Sequence, residues 1–253
     1  MSKQLGIYER VVPVSSSRHR DWSIDTGAGY AYAKEANSVP LITVEFPAAA
    51  LEYPIVFAGE DVAMPVAALG IRHGQNLYVN DDGTWEAKYV PVFMRQYPFV
   101  FAKADGENQF GLCIDEDFSG CGQDGVGERL FDTEGEQTQF LKSRMDFLTK
   151  QQVELHRTRR FGEEIGELNL LDPMAVEFTS KEGEKLRLVG FKLINRERLA
   201  DLPADRLAEL VKSGALELIY LHLASLHHIR RLADGFAASG EEPDKAAVVA
   251  GDG

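Results

Sequence analysis

The residues best suited to chemistry lie between Trp85 and Asp117. Trp85 and Tyr89 are four positions apart, so on a strand they share a face. Arg95, Tyr97 and Phe99 alternate, with Pro98 opposite them if the chain is extended. A guanidinium flanked by aromatic rings binds a carboxylate or stacks on rings in a groove. Asp115, Glu116 and Asp117 follow and are candidate partners for Arg95 inside the fold. The competing reading is a packed aromatic core with one paired arginine, and it is the simpler one.

Other constellations carry less. Cys113, Asp115, Glu116, Asp117 and Cys121 mix thiols, which suit zinc, with carboxylates, which suit calcium or magnesium. The spacing does not match a calcium loop, because Val126 stands where its closing glutamate belongs. The two thiols are too far apart for a CxxC redox pair. A solvated acidic loop ending a strand is the simpler reading. His222, His227 and His228 lack the i, i+4 pair with an intervening glutamate of a metalloprotease helix. They read as one buried, satisfied histidine and two exposed ones. No G-x-S-x-G elbow, G-x-G-x-x-G turn or P-loop occurs. The basic run His156–Arg160 reads as a solvated helix end or an internal partner for acids. No metal, cofactor or catalytic residue is assigned. The binding candidates are Trp85, Tyr89, Arg95, Tyr97, Phe99, Asp115 and Asp117.

These residues must be positioned by short elements. Seven of ten prolines fall within the first 98 residues, and the apolar runs between them are four to six residues long or shorter. Leu41–Phe46, Pro54–Ala58, Val66–Leu69, Leu77–Val79 and Tyr97–Ala102 predict short, irregular strands, since proline is confined to strand edges, starts and bulges. Asn80-Asp81-Asp82-Gly83 is a tight-turn signal. Phe110–Ile114 predicts one more strand. From Gln137, apolar residues at helical spacing predict a helix to about Phe161, capped by Thr133 or Thr138. Ala175–Thr179 and Leu186–Ile194 predict a hairpin turning at residues 181–184. Pro203–Lys212 predicts an amphipathic helix closed by Gly214, and Ala215–Leu232 a buried one. The expectation is an α+β fold, with a β-rich N-terminal half and a helical C-terminal half containing one hairpin. It predicts a single domain over residues 1–237, β-rich over 1–130 and mainly helical over 137–237. Residues 238–253 predict a disordered acidic tail.

Charge narrows the function classes. With 27 Lys+Arg against 40 Asp+Glu, the formal net charge is −13. Residues 105–136 hold ten acids against the single Arg129, a net −9. Phosphate neutralisation needs a surplus of cations, so a general nucleic-acid binder is excluded. No apolar run approaches the ~20 residues that span a bilayer, and no secretory h-region is visible, so a cytoplasmic protein with reduced cysteines is expected. The apolar segments flanking the acidic stretch could form a homodimer face.

The ordered motifs W-x-x-x-Y-V-P, R-x-Y-P-F, C-I-D-E-D and L-F-D-x-x-G-E, with Val39–Phe57 and Phe191–Leu226, resemble the SapC family of bacterial proteins. The resemblance covers roughly residues 5–235. It implies a link to surface-layer systems, from which the family takes its name. It also implies association with genes for halogenase-like flavoproteins and TonB-dependent receptors. It carries no catalytic residue set. The expectation is therefore an accessory protein that binds a protein or peptide partner in surface-layer or outer-membrane uptake systems, and not an enzyme. The alternative is an enzyme or enzyme subunit with a pocket around Arg95, Asp115 and Asp117.

Overall fold

A computed structural model describes residues 6–103, 110–180, 185–232 and 243–250. Nine short strands occupy the N-terminal part: β1 (Val11–Pro13), β2 (Ser23–Ile24), β3 (Ser38–Pro40), β4 (Ile55–Ala58), β5 (Met64–Ala68), β6 (Phe99–Lys103), β7 (Phe110–Asp115), β8 (Cys121–Gly122) and β9 (Glu128–Arg129). Between them lie single helical turns: α1 (Ser16–His19), α2 (Phe46–Ala49) and α3 (Val92–Arg95). The C-terminal part holds α4 (Gln139–Glu167), the hairpin β10 (Leu171–Ser180) and β11 (Lys185–Ile194), then α5 (Arg196–Ala200), α6 (Ala204–Ser213) and α7 (Ala215–Ser225). A last strand, β12, spans Pro243–Ala250. The fold is α+β, as the sequence predicts.

Three antiparallel sheets result. The largest runs β12-β10-β11-β4-β5-β3, the second β1-β7-β6 and the third β8-β2-β9. In the second, Ile114 of the central strand faces Val12 on one side and Phe99 on the other. Two hydrophobic clusters fill the interior. The larger gathers Phe46, Tyr53, Phe57 and Tyr78 under α7 and the large sheet. The smaller gathers Ile24, Phe99, Ile114, Phe118, Leu130 and Leu141, with Tyr32 and Tyr97 packed against both clusters. Phe99–Val100 and Leu130–Phe131, which flank the acidic stretch, are buried.

Several expectations require correction. Leu41–Phe46 is not a strand. Thr43–Glu45 forms a 3₁₀ turn that runs into α2, with Pro47 in its first turn and the Glu45 carboxylate closing back on the Ile42 amide at 2.9 Å. Ile42 and Phe46, four apart, are both buried, so the apolar spacing was helical. Leu77–Val79 contributes only an isolated bridge, Val79 to Trp85, which closes around the Asn80–Gly83 turn. In that turn Gly83 has φ +81° and its amide donates to the Asn80 carbonyl. Helix α4 continues past Phe161 to Glu167. Gly162 lies within it because a Cβ there would stand 2.3 Å from the Ala63 carbonyl, so the glycine lets α4 pack closely on the loop before β5. Its cap is Thr138, whose hydroxyl accepts from the Leu141 amide. Residues 226–228 tighten to a 3₁₀ turn within the predicted last helix. The 181–184 turn of the hairpin lies outside the described residues. Within the predicted disordered tail, 243–250 pairs with β10 along its length, Val248 opposite Val176. The run Ala246–Ala250 is apolar and valine-bearing, which suits a strand.

Candidate functional site

A cavity of about 480 Å³ opens where four parts of the chain converge: the loop after β2, the α3–β6 junction, the turn after β7 and the first turns of α4. That size lies within the usual range for ligand clefts, roughly 300–1,000 Å³. Each wall has a local cause. The loop after β2 is docked by Tyr30, whose amide donates to the Gly83 carbonyl at 2.8 Å. Gly29 permits the approach, since a Cβ there would meet that same carbonyl at 2.8 Å. The α3–β6 junction passes through a cis Tyr97–Pro98 bond. On α4, Phe140, Arg144 and Phe147 recur at helical spacing and so present one face.

The walls are aromatic. Tyr32 and Tyr97 stack at 3.9 Å and 22°, and Phe118 stands edge-on to both. The two tyrosines are pinned from behind: the Tyr32 hydroxyl donates to the Met94 carbonyl at 2.6 Å, and the Tyr97 hydroxyl to Asp115 Oδ2 at 3.1 Å. Burial, with the Asp115 charge beside it, drives the Tyr97 hydroxyl well above the ordinary tyrosine range. The ring therefore stays a neutral donor.

Two guanidinium groups line this aromatic cavity. Arg95 lies over the Tyr89 and Phe147 rings, 5.5 and 5.8 Å from their centroids, and donates to the Tyr89 hydroxyl at 3.3 Å. Arg144 lies over Phe140 at 5.1 Å. Its Nε is buried and has no hydrogen-bond partner among the described residues. Among those residues neither arginine makes an ion pair. Asp25 also lines the cavity, but one of its oxygens is held by the Gly27 amide of its own loop. The lining thus carries two cations against one acid.

Behind Arg95 lies a buried carboxylate, Glu45. It accepts from the Ile42 and Val92 amides and from the Tyr89 hydroxyl, the last at 2.7 Å. Burial raises its pKa above the ordinary carboxylate range, and these donors oppose the shift. The chain Glu45–Tyr89–Arg95 fixes the arginine over its ring.

Arg95, Tyr97 and Phe99 are brought together at the cavity, although not by an extended segment: Arg95 ends a helical turn and Phe99 begins β6. Tyr89 lies beneath Arg95. Trp85 is one ring further back, edge-on to Tyr30 at 5.5 Å, with its indole donating to Tyr53 at 2.8 Å. Neither Trp85 nor Tyr89 lies in a regular strand, so the shared face predicted for them does not form.

The acids are not partners of Arg95. Asp115 is fully buried and accepts from the Glu9, Arg10 and Asp117 amides and from Tyr97. Glu116 pairs with Arg10 and Arg18, and His19 lies 3.1 Å from it. The hydrogen bond from Arg18, with the charges around it, holds Glu116 below the usual carboxylate range. Asp117 pairs with Arg10 at 2.9 Å and lines a neighbouring cleft of about 800 Å³ that shares the Tyr32–Tyr97–Phe118 wall. The grouping of Arg95 with Asp115 and Asp117 that an enzymatic reading requires is therefore not formed. The acids instead fasten residues 9–19 onto the end of β7.

The histidines and cysteines are equally accounted for. His222 is fully buried; its Nδ1 lies 2.7 Å from the Ile55 carbonyl and its Nε2 accepts from the Ile194 amide at 3.2 Å. It thereby bridges β4 and β11, whose own ladder has a single register pair, Lys192 opposite Phe57. Burial lowers its pKa to about 4, so the ring is neutral. His227 is exposed, and His228 is half-buried. Burial raises Cys121 to about 12, which makes its thiol unreactive at neutral pH. Among the described residues no group of three or more His, Cys, Asp and Glu side chains is placed to hold a metal ion. No helix among them is long and apolar enough to cross a membrane. In the basic run, Arg157 pairs with Glu154 and Arg159 with Glu163 along the surface of α4.

Sequence reasoning missed Tyr30, Tyr32, Phe118 and above all Arg144. The signal for Arg144 was present: it falls between Phe140 and Phe147 on one helical face, a cation where that face carries rings.

The SapC family model matches residues 14–232 of the chain. No curated protein and no solved structure matches.

Proposed function

We propose that this chain, which belongs to the SapC family, is an accessory binding protein that receives a protein or peptide partner at the aromatic–arginine cavity. One observation carries the reading: Arg95 and Arg144 line a cavity walled by aromatic rings, and among the described residues neither forms an ion pair. By contrast, Arg10 and Arg18 on the other side of Tyr97 are paired with Glu116. Arginine and aromatic side chains are the anchors that dominate protein interfaces. The setting we favour is surface-layer biogenesis or outer-membrane uptake.

The test compares cross-linked partners of the wild-type protein and of Arg95→Glu in native cells. Arg95 is exposed, and an unchanged melting temperature verifies that the reversal, made beside Tyr89 and Glu45, leaves the fold intact. A partner captured by the wild type and lost from the variant supports the proposal. Identical partner sets for the two proteins would sink it.

A further inference from the structure

The cavity's chemistry defines the part of the partner it takes. We propose that it anchors the C-terminal residue of a polypeptide, with the terminal carboxylate on Arg144 and the last side chain against the Tyr32–Tyr97–Phe118 wall. This rests on the binding reading above.

The argument starts from Arg144. A guanidinium has five donors in a rigid fork that matches a carboxylate. The Arg144 side chain makes no hydrogen bond among the described residues: Nε is out of water without an acceptor, and the two terminal nitrogens, which are not buried, have none either. Because the residue lines the cavity, a carboxylate entering it meets an unpartnered charged fork and gains charge-assisted hydrogen bonds. The Phe140 ring beneath Arg144 restricts the side chain. A second cation, Arg95, lines the same cavity, and the only acid there, Asp25, is partly engaged by its own loop. The cavity therefore selects an anion.

The apolar walls narrow the choice further. Phe99, Phe118, Phe140 and Phe147 offer no hydrogen bonds, and the hydroxyls of Tyr32 and Tyr97 already donate to Met94 and Asp115. An internal Asp or Glu would bring its carboxylate on a side chain with the backbone leaving in two directions past the aromatic walls, and among the described residues only the loop at 25–29 offers that backbone polar partners. A C-terminal residue brings a carboxylate and an apolar side chain from the same Cα, with only one chain direction leading out of the cavity. At about 480 Å³ the space exceeds what a carboxylate alone needs.

The experiment uses a pool of short peptides with randomised internal positions and a C-terminal phenylalanine. Each is made both as the free acid and as the amide, mixed in equal amounts and equilibrated with the immobilised full-length protein. Mass spectrometry reads the acid-to-amide ratio retained. The expected result is enrichment of the acid form by about tenfold or more, the scale of a charged hydrogen bond. Arg144→Gln should bring the ratio to unity, Arg144→Lys should restore part of it, and Arg157→Gln on the far surface should leave it unchanged. Equal retention of acid and amide by the wild type overturns the terminal-carboxylate assignment while leaving a peptide site in place. Retention of neither form, with 3-phenylpropionate binding in a parallel titration, assigns the cavity to a small free acid and overturns it as well. Retention of nothing overturns it too, and the cross-linking comparison with Arg95→Glu then reads separately whether the partner site exists.

Discussion

On one side of Tyr97 its hydroxyl meets Asp115; on the other its ring faces the cavity with Arg95 and Arg144. The two sides treat charge in opposite ways. In the acidic cluster every buried carboxylate has donors: three backbone amides and a phenol for Asp115, two arginines and a histidine for Glu116. In the cavity two cations rest on rings, and among the described residues no carboxylate forms an ion pair with them. Matched charge fastens one segment to another, whereas the two cavity arginines tie no segments together by ion pairs. The chain's acidity, concentrated in residues 105–136, thus has a structural use on the first side.

The contrast breaks most readily at Asp115. Asp115→Ala leaves three amides and the Tyr97 hydroxyl without their acceptor and releases residues 9–10 from β7. The expected loss is about 3–5 kcal/mol of unfolding free energy, in the range for breaking a buried charged network. Urea denaturation reads it directly. A loss under about 1 kcal/mol would mean that the acidic cluster does not hold the fold and that its difference from the cavity is only apparent.

The next effect comes from pH. His222 is neutral in the fold with a pKa of about 4, against 6.5 when unfolded. Because its folded pKa is the lower one, the unfolded chain takes up the proton first. Stability is complete above about pH 6.5 and declines as pH falls towards 4. Across that window the loss is about 3 kcal/mol. Glu116 acts in a lower window: its depressed pKa gives stability that is lost as pH falls below its unfolded value of 4.5. Thermal melts between pH 7 and 4.5 read this loss together with those of His19 and His228, whose pKa values burial also lowers, and with the opposing gain from Glu45, whose pKa burial raises. The difference between wild type and His222→Gln isolates the share of His222 and should be a shallower slope for the variant. A slope unchanged by the substitution would show that another group carries it.

Much of this arrangement is legible in the residues themselves. The hairpin over β10 and β11, the Gly214 stop and the Asn80–Gly83 turn were legible because each depends on local backbone chemistry. Leu41–Phe46 was misread because four apolar residues among six fit either period, and the decision came from a long-range demand: Glu45 had to reach Val92 and Tyr89. The cavity was half legible. Arg95, Tyr97 and Phe99 are close in sequence and were found. Arg144 was hidden because nothing local says that the face of α4 carrying Phe140 and Phe147 turns towards Tyr97. Pairing Arg95 with the acids followed charge attraction, but residues 9–18 supplied nearer donors.

The smallest effect is the sharpest test, because the same substitution should act in opposite directions on the two sides. Arg18→Leu removes two donors from the buried Glu116 carboxylate and should lower the melting temperature. Arg144→Leu keeps an apolar stem against Phe140 and removes a buried donor that has no acceptor. It should leave stability unchanged or raise it by up to about 1 kcal/mol, roughly 2–4 °C in a chain of this size. That outcome would show that the fold does not need the Arg144 guanidinium, as the binding proposal expects. If Arg144→Leu instead destabilises the protein as Arg18→Leu does, the guanidinium is structural, and the distinction between the two sides of Tyr97 disappears.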